Sequence, residues 1–188
     1  MRAFLGLSLP EEIRESLRQL QRDLAASQAD VKWVKPGNLH VTLKFLDEIT
    51  EEQRRDVEVL LTRLADKEGT FALGVAEVGA FPSMSAPRVV WVGLSEGTET
   101  VARIAKTIEE AGRAIGLRRE ERPFAAHLTL GRLRSSRRRQ ELVRHLQHIT
   151  WQPPAPWLVT SVTLYESVLS SSGPEYRVLA DVPLGAHS

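Results

Sequence analysis

Two short segments carry the same two side chains at the same spacing. His40 and Thr42 stand in "LHVTLKFL" (Leu39–Leu46), and His127 and Thr129 in "AHLTLGRL" (Ala126–Leu133). Successive side chains on a strand point to opposite faces, so each histidine shares a face with its threonine. Val41 and Leu43, or Leu128 and Leu130, then share the other face. Two imidazoles suit acid–base chemistry near neutrality, because a neutral ring can take a proton while a protonated one gives a proton up. Threonine hydroxyls are short, stiff donors for the non-bridging oxygens of a phosphoryl group as charge builds there. Phosphodiester cleavage needs such a set: a base, an acid and anion donors, without a metal. Zinc ligation is the competing reading, but no third ligand keeps register with the two histidines. His145 and His148 sit off the Leu142–Leu146–Ile149 stripe of their helix and read as solvated. His187 lies in a tail and carries no signal.

The elements that must position these residues come as a repeat. His40 and His127 stand 87 positions apart (127 − 40), and the offset recurs along the chain. "LGLS" at Leu5–Ser8 falls on "VGLS" at Val92–Ser95, Pro36 on Pro123, Leu43 on Leu130, Leu46 on Leu133, and "SAP" at Ser85–Pro87 on "SGP" at Ser172–Pro174. One register without a gap points to an internal duplication, with units at about 2–87 and 88–188.

Each unit follows one plan. The first opens with the strand "RAFLGLSL". Ser8 and Glu11 form a capping-box pattern with Pro10 near the first turn, and Ile13, Leu17, Leu20 and Leu24 recur at helical spacing. "VKWV" reads as a strand, "KPGN" as a type II turn, and "LHVTLKFL" as the returning arm of a hairpin. Thr50 to Gln53 repeats the capping box before a helix marked by Val57, Leu60, Leu61 and Leu64, and the strand "TFALGVAEVGAF" closes the unit. The second unit runs "RVVWVGL", a helix through Val101, Ile104 and Ile108, the motif strand, a helix near "RQELVRHLQHI", and the strands "WLVTSVTLYES" and "EYRVLADVPL". The expected class is α+β: two pseudo-symmetric lobes, each a small, mainly antiparallel sheet packed by helices on one face, facing each other across a groove. The His/Thr faces, turned from the helices, look into that groove.

The bulk numbers set limits. Of 188 residues, 42% are hydrophobic and 26% charged, with a net charge of +1. A balanced surface excludes bulk polyelectrolyte binding, so any nucleic-acid contact must be local. The absence of cysteine removes disulfides, thiolate metal sites and a cysteine nucleophile, and it suits a reducing cytoplasm. "MRAFLGLSLPEE" holds an apolar run too short, and too soon broken by Pro10, for a signal peptide or a membrane span. No Gly-rich phosphate loop or nucleotidyl-accepting lysine motif is evident, which disfavours an ATP-driven ligase. A monomer is expected, since each lobe already has its partner.

The chain resembles the 2H phosphoesterases, and within them the RNA 2′,3′-cyclic phosphodiesterases, also called 2′-5′ RNA ligases. The likeness is carried by "RAFLGLSLPEEIRESL", "KWVKPGNLHVTLKFLDEI", "GAFPSMSAPRVVWVGL", "PFAAHLTLGRL" and "LYESVLSSSGPEYRVL". It implies a bilobal fold and cofactor-free opening of a terminal 2′,3′-cyclic phosphate on RNA or nucleotides to a 2′-phosphomonoester. It implies His127 as general base, His40 as general acid, and Thr42 and Thr129 as phosphate donors. It further implies Arg132 as a phosphate contact and Phe45 as an aromatic that stacks on a base. Alternatives are ligation, in which a 5′-hydroxyl replaces water at the same site, and a non-catalytic RNA- or nucleotide-binding module. Strand alternation adds one expectation and sets two conditions. Lys44 shares the His40 face and would add positive charge at the groove mouth. Phe45 falls on the core face unless the strand twists or ends, and Arg132 needs a strand end or a bulge to reach the groove.

Overall fold

A computed structural model describes residues 1–185; His187 lies outside them. Four helices and ten strands follow in the order β1 (Arg2–Leu7), α1 (Glu11–Ala25), β2 (Val31–Trp33), β3 (Val41–Glu48), α2 (Glu51–Ala65), β4 (Phe71–Leu73), β5 (Val75–Pro82), β6 (Pro87–Leu94), α3 (Thr98–Ala114), β7 (His127–Leu133), α4 (Arg139–His148), β8 (Trp157–Val159), β9 (Ser161–Ser170) and β10 (Gly173–Pro183). The class is α+β, as expected. None of these helices is long and apolar enough to cross a membrane.

Helix formation follows the apolar stripes. Ile13, Leu17, Leu20 and Leu24 are the buried leucine and isoleucine face of α1, and Val101, Ile104 and Ile108 of α3 are fully buried. Thr50 caps α2: its hydroxyl accepts from Gln53 N, and the Gln53 side chain accepts from Thr50 N, both at 3.1 Å. The corresponding box at α1 does not form. Pro10 is the cap residue there, and no side chain bonds the first turn. Ser8 is thereby released for another use.

The sheets hold the largest departure from expectation. One sheet has the order β10-β9-β1-β3 and the other β2-β7-β6-β5. The expected hairpin between β2 and β3 is absent, because β2 pairs with β7 while β3 pairs with β1. The "KPGN" segment forms a 3-10 turn over Pro36–Asn38 instead. A type II turn needs positive φ at its third residue, and Gly37 does not adopt it. The segment instead carries the chain from one sheet to the other.

The sequence units and the lobes therefore do not coincide. Each three-strand centre takes its outer strand from the other unit: β9 joins β1 and β3, while β5 joins β6 and β7. Helices cross over too. Gln21 of α1 donates to Leu130 O of β7 and to Val34 O, whereas α3 packs against β3. The repeat counterparts β4 and β8 pair antiparallel with each other, Ala72 opposite Leu158. Antiparallel pairing of equivalent strands places a pseudo-two-fold axis between them. One continuous hydrophobic cluster runs through both lobes, and β3 and β7 approach each other beside the axis.

Candidate active site

The register along β3 and β7 decides which side chains reach the groove. On β3, Gly6 lies opposite Thr42 and Leu5 opposite Lys44, so Leu43 is skipped. On β7, Trp91 lies opposite Thr129 and Val90 opposite Gly131, so Leu130 is skipped. Each skip is a β-bulge, and one extra residue reverses side-chain parity beyond it. The two bulged residues, Leu43 and Leu130, are repeat counterparts.

The two bulges place the two residues that alternation left conditional, and Lys44 with them. Phe45 lies opposite Phe4, on the face of Thr42 and His40; it is 55% exposed, with its ring 6.2 Å from that of Phe4. Arg132 is exposed, lies opposite Val89, and shares the face of Trp91, Thr129 and His127. Lys44 does the reverse of what alternation implied. It lies opposite Leu5 on the core side, is only 5% exposed, and donates to Glu109 at 2.5 Å and to Arg118 O at 2.8 Å. It adds no charge to the groove. Its neighbour Glu109 is pushed up by burial, but the bond from Lys44, the Glu120 N–H and nearby Arg113 outweigh this and hold its carboxyl below the ordinary value.

His40 is fixed at both nitrogens. Nδ1 donates to Asn38 O at 2.6 Å, which leaves Nε2 to face the Thr42 hydroxyl at 2.8 Å. In the neutral ring the hydroxyl donates to Nε2, and in the charged ring the direction reverses. Phe4 lies 4.7 Å away, centroid to centroid, and Tyr176 stands edge-on at 5.4 Å. Burial lowers the His40 pKa, and the Asn38 carbonyl offsets part of that. Gly6 makes the approach possible, because a Cβ there would sit 2.8 Å from Val41 O and 3.3 Å from His40 Cδ2.

His127 repeats this frame with different neighbours. Its Nδ1 is buried beside the carbonyl of Ala125, the counterpart of Asn38, but no close hydrogen bond forms. Trp91, the counterpart of Phe4, lies 6.0 Å from the ring, and Phe81 stands edge-on at 5.3 Å. Burial lowers the His127 pKa; the Ala125 carbonyl opposes this, and the positive charge of Arg132 adds to it. Tyr176 is raised by burial and lowered in part by the same Arg132 charge. Arg132, on the second sheet, thus acts on Tyr176 of β10 on the first.

The His145 and His148 rings are tied to their own helix through the Glu141 and Arg144 carbonyls, both at 2.8 Å. Sequence reasoning passed over Phe4, Phe81, Trp91, Tyr165 and Tyr176. The repeat offset already paired Phe4 with Trp91 and Phe45 with Arg132, and that was the available signal for residues beside the histidines.

The profile described as "LigT like Phosphoesterase" matches the chain twice, over residues 7–91 and 92–176. The chain belongs to this family. An Archaeoglobus fulgidus protein named RNA 2′,3′-cyclic phosphodiesterase is 34% identical, over 95% of this chain and 98% of its own. An Aquifex aeolicus protein of the same name is 31% identical over 98% of each. A crystal structure of a Thermus thermophilus protein superposes with a TM-score of 0.80 at 30% identity, covering all of both chains. Escherichia coli LigT in complex with 3′-AMP gives a TM-score of 0.78 at 27% identity over 97% of each. The two matched spans carry one His-x-Thr motif each.

Proposed function

We propose that this LigT-like phosphoesterase hydrolyses terminal 2′,3′-cyclic phosphates of RNA to 2′-phosphomonoesters by two-histidine acid–base catalysis. The observation that carries the reading is the matched pair of His/Thr faces on β3 and β7, each behind a bulge at the same register position. The full-length relatives named RNA 2′,3′-cyclic phosphodiesterase support the choice of substrate.

His127 Nε2 takes a proton from water as the water oxygen bonds to phosphorus. The P–O3′ bond breaks, and the proton on His40 Nε2 passes to the departing O3′. The product keeps its 2′-phosphate, and the two histidines end the step with their protonation exchanged. Thr42 and Thr129 donate to non-bridging oxygens, Arg132 offsets their growing charge, and Phe45 stacks on the terminal base. The cysteine-free chain suits cytoplasmic RNA ends, and the protein works as a monomer because one chain supplies both walls of the site.

The test is incubation with an oligonucleotide ending in a 2′,3′-cyclic phosphate, in EDTA, with product identification. A 2′-phosphate is expected, with His40→Ala and His127→Ala each lowering kcat by about 10²–10⁴-fold. Turnover indifferent to both substitutions defeats the reading. A 3′-phosphate product would retain the histidine pair and exchange its acid and base.

A further inference from the structure

Beside His40 lies a cavity of about 250 Å³ whose polar lining includes Arg14, Ser8, Asn38, Tyr165, Tyr176 and Asp181. Apart from the Asn38 carbonyl that holds His40, the reaction uses none of these groups, and His127 is not in the lining. Arg14 projects from the first turns of α1, and its Nε is buried without a hydrogen-bond partner. The nearest carboxylate on its own helix, Glu11, is 4.0 Å away and 84% exposed, so it leaves most of the guanidinium charge uncompensated. Asp181 is the one carboxylate in the lining, and its Oδ1 already accepts from the Thr163 hydroxyl at 2.7 Å. Both charges act on Tyr165. Burial raises that phenol, nearby Thr163, Ser8 and Arg14 lower it, and Asp181 raises it. Ser8, which does not cap α1, is the remaining hydroxyl in the lining.

We propose that this cavity is the subsite for the phosphate on the 5′ side of the terminal nucleotide, with Arg14 as its anion-binding residue. The inference rests on the reading of His40 as the acid that protonates O3′. The ribose that carries O3′ must lie on the His40 side, and the cavity opens there. The cyclic phosphate is already served by the two histidines and two threonines. The 5′ phosphate is the only other anion that such a nucleotide carries. A guanidinium left largely uncompensated, beside hydroxyl donors, fits a phosphodiester. Asp181, on the Thr163 side, repels the phosphate from that wall and presses it towards Arg14. The consequence is a preference for RNA ends over free nucleoside cyclic phosphates.

Calorimetric titration of the whole protein with adenosine 2′-monophosphate and adenosine 2′,5′-bisphosphate tests this without turnover. The bisphosphate is expected to bind about tenfold more tightly or better, Arg14→Gln to reduce that ratio to within about threefold, and Arg14→Lys to restore part of it. Equal affinities in the unsubstituted protein, or an Arg14→Gln protein that keeps the ratio, overturn the proposal. The ratio is internal to each protein, so partial loss of folding cancels. Intact binding preference without cyclic-phosphate turnover would count against the catalytic reading and leave the subsite standing.

Discussion

Replacing Lys44 by methionine separates the bulged strand from a regularly alternating one. Lys44 Nζ holds Glu109 at 2.5 Å and Arg118 O at 2.8 Å, while the other Glu109 oxygen takes the Glu120 N–H at 3.0 Å. Methionine keeps the stem and removes the charge, which strands the carboxylate and the carbonyl. Breaking a buried pair from one side costs about 3–5 kcal/mol. Glu109 retains 22% side-chain exposure and its backbone donor, so water can reach it and the loss falls near about 2–3 kcal/mol. For a chain of 188 residues each kcal/mol moves the melting temperature by about 2–4 °C, giving a drop of about 4–12 °C. Thermal unfolding measures this, and steady-state kinetics well below the transition should show KM changed by less than about threefold, because Lys44 faces α3 rather than the substrate. Adding Glu109→Leu should recover part of the stability by removing the stranded charge. An unchanged melting temperature with a raised, less salt-sensitive KM would refute the reasoning, since that is how a groove lysine behaves.

Other consequences are as direct. The kcat/KM profile should be bell-shaped with its optimum on the acid side of 6.5, because burial lowers both histidines; the two limbs belong to the coupled pair. Arg132→Ala should lower kcat/KM and also move the acid limb to higher pH, since burial still depresses His127 but the charge that adds to that depression is gone. Both native histidine pKa values are depressed, so their stabilising contribution is full above about pH 6.5. It is lost as the pH falls through the lowered native values, and urea midpoints between pH 7.5 and 5 should fall accordingly, less so in His40→Phe. Gly6→Ala should cost about 1–3 kcal/mol and lower kcat, because its methyl meets Val41 O and His40; Gly37→Ala, with no atom within 4 Å, should do neither.

The legible parts of the molecule were those whose cause is local. The leucine stripes of α1 and α2, the Thr50–Gln53 cap and the His-x-Thr strands all depend on residues within a few positions of each other. The duplication was legible because an unbroken offset of 87 preserves identity over distance. The exchange of β5 and β9 between lobes was not, since antiparallel pairing is chosen among distant edges that the pattern of a strand does not name. Lys44 and Phe45 were misplaced for a related reason. Alternation counts residues, whereas the partner strand counts hydrogen-bonded pairs, and at Leu43 the counts differ by one. The miscount shows only in the structure, where Leu43 and Lys44 are adjacent and both buried, as are Leu130 and Gly131, a pattern that a regular half-buried strand cannot make.

The two bulges also bear on why a nearly symmetric frame supports an asymmetric reaction. A duplicated site offers equivalent histidines, yet the proposed hydrolysis needs one base and one acid. Behind each bulge the first groove residue is Phe45 on one strand and Arg132, its counterpart, on the other. The guanidinium stands close enough to His127 to disfavour its protonated form; no such cation acts on His40, whose Nδ1–H is bonded to Asn38 O. Burial lowers both rings and a backbone carbonyl supports each, so the Arg132 charge is the difference in kind between them, and it acts against protonation of His127, the ring proposed as the base. The aromatic wall falls on the acid's side, where the ribose and base of the leaving 3′ oxygen must lie, and the charged wall on the side where water attacks the anionic phosphorus. Substitution at one repeat position, on a bulge present in both halves, thus distinguishes the two sides of the groove in the sense that the proposed reaction requires.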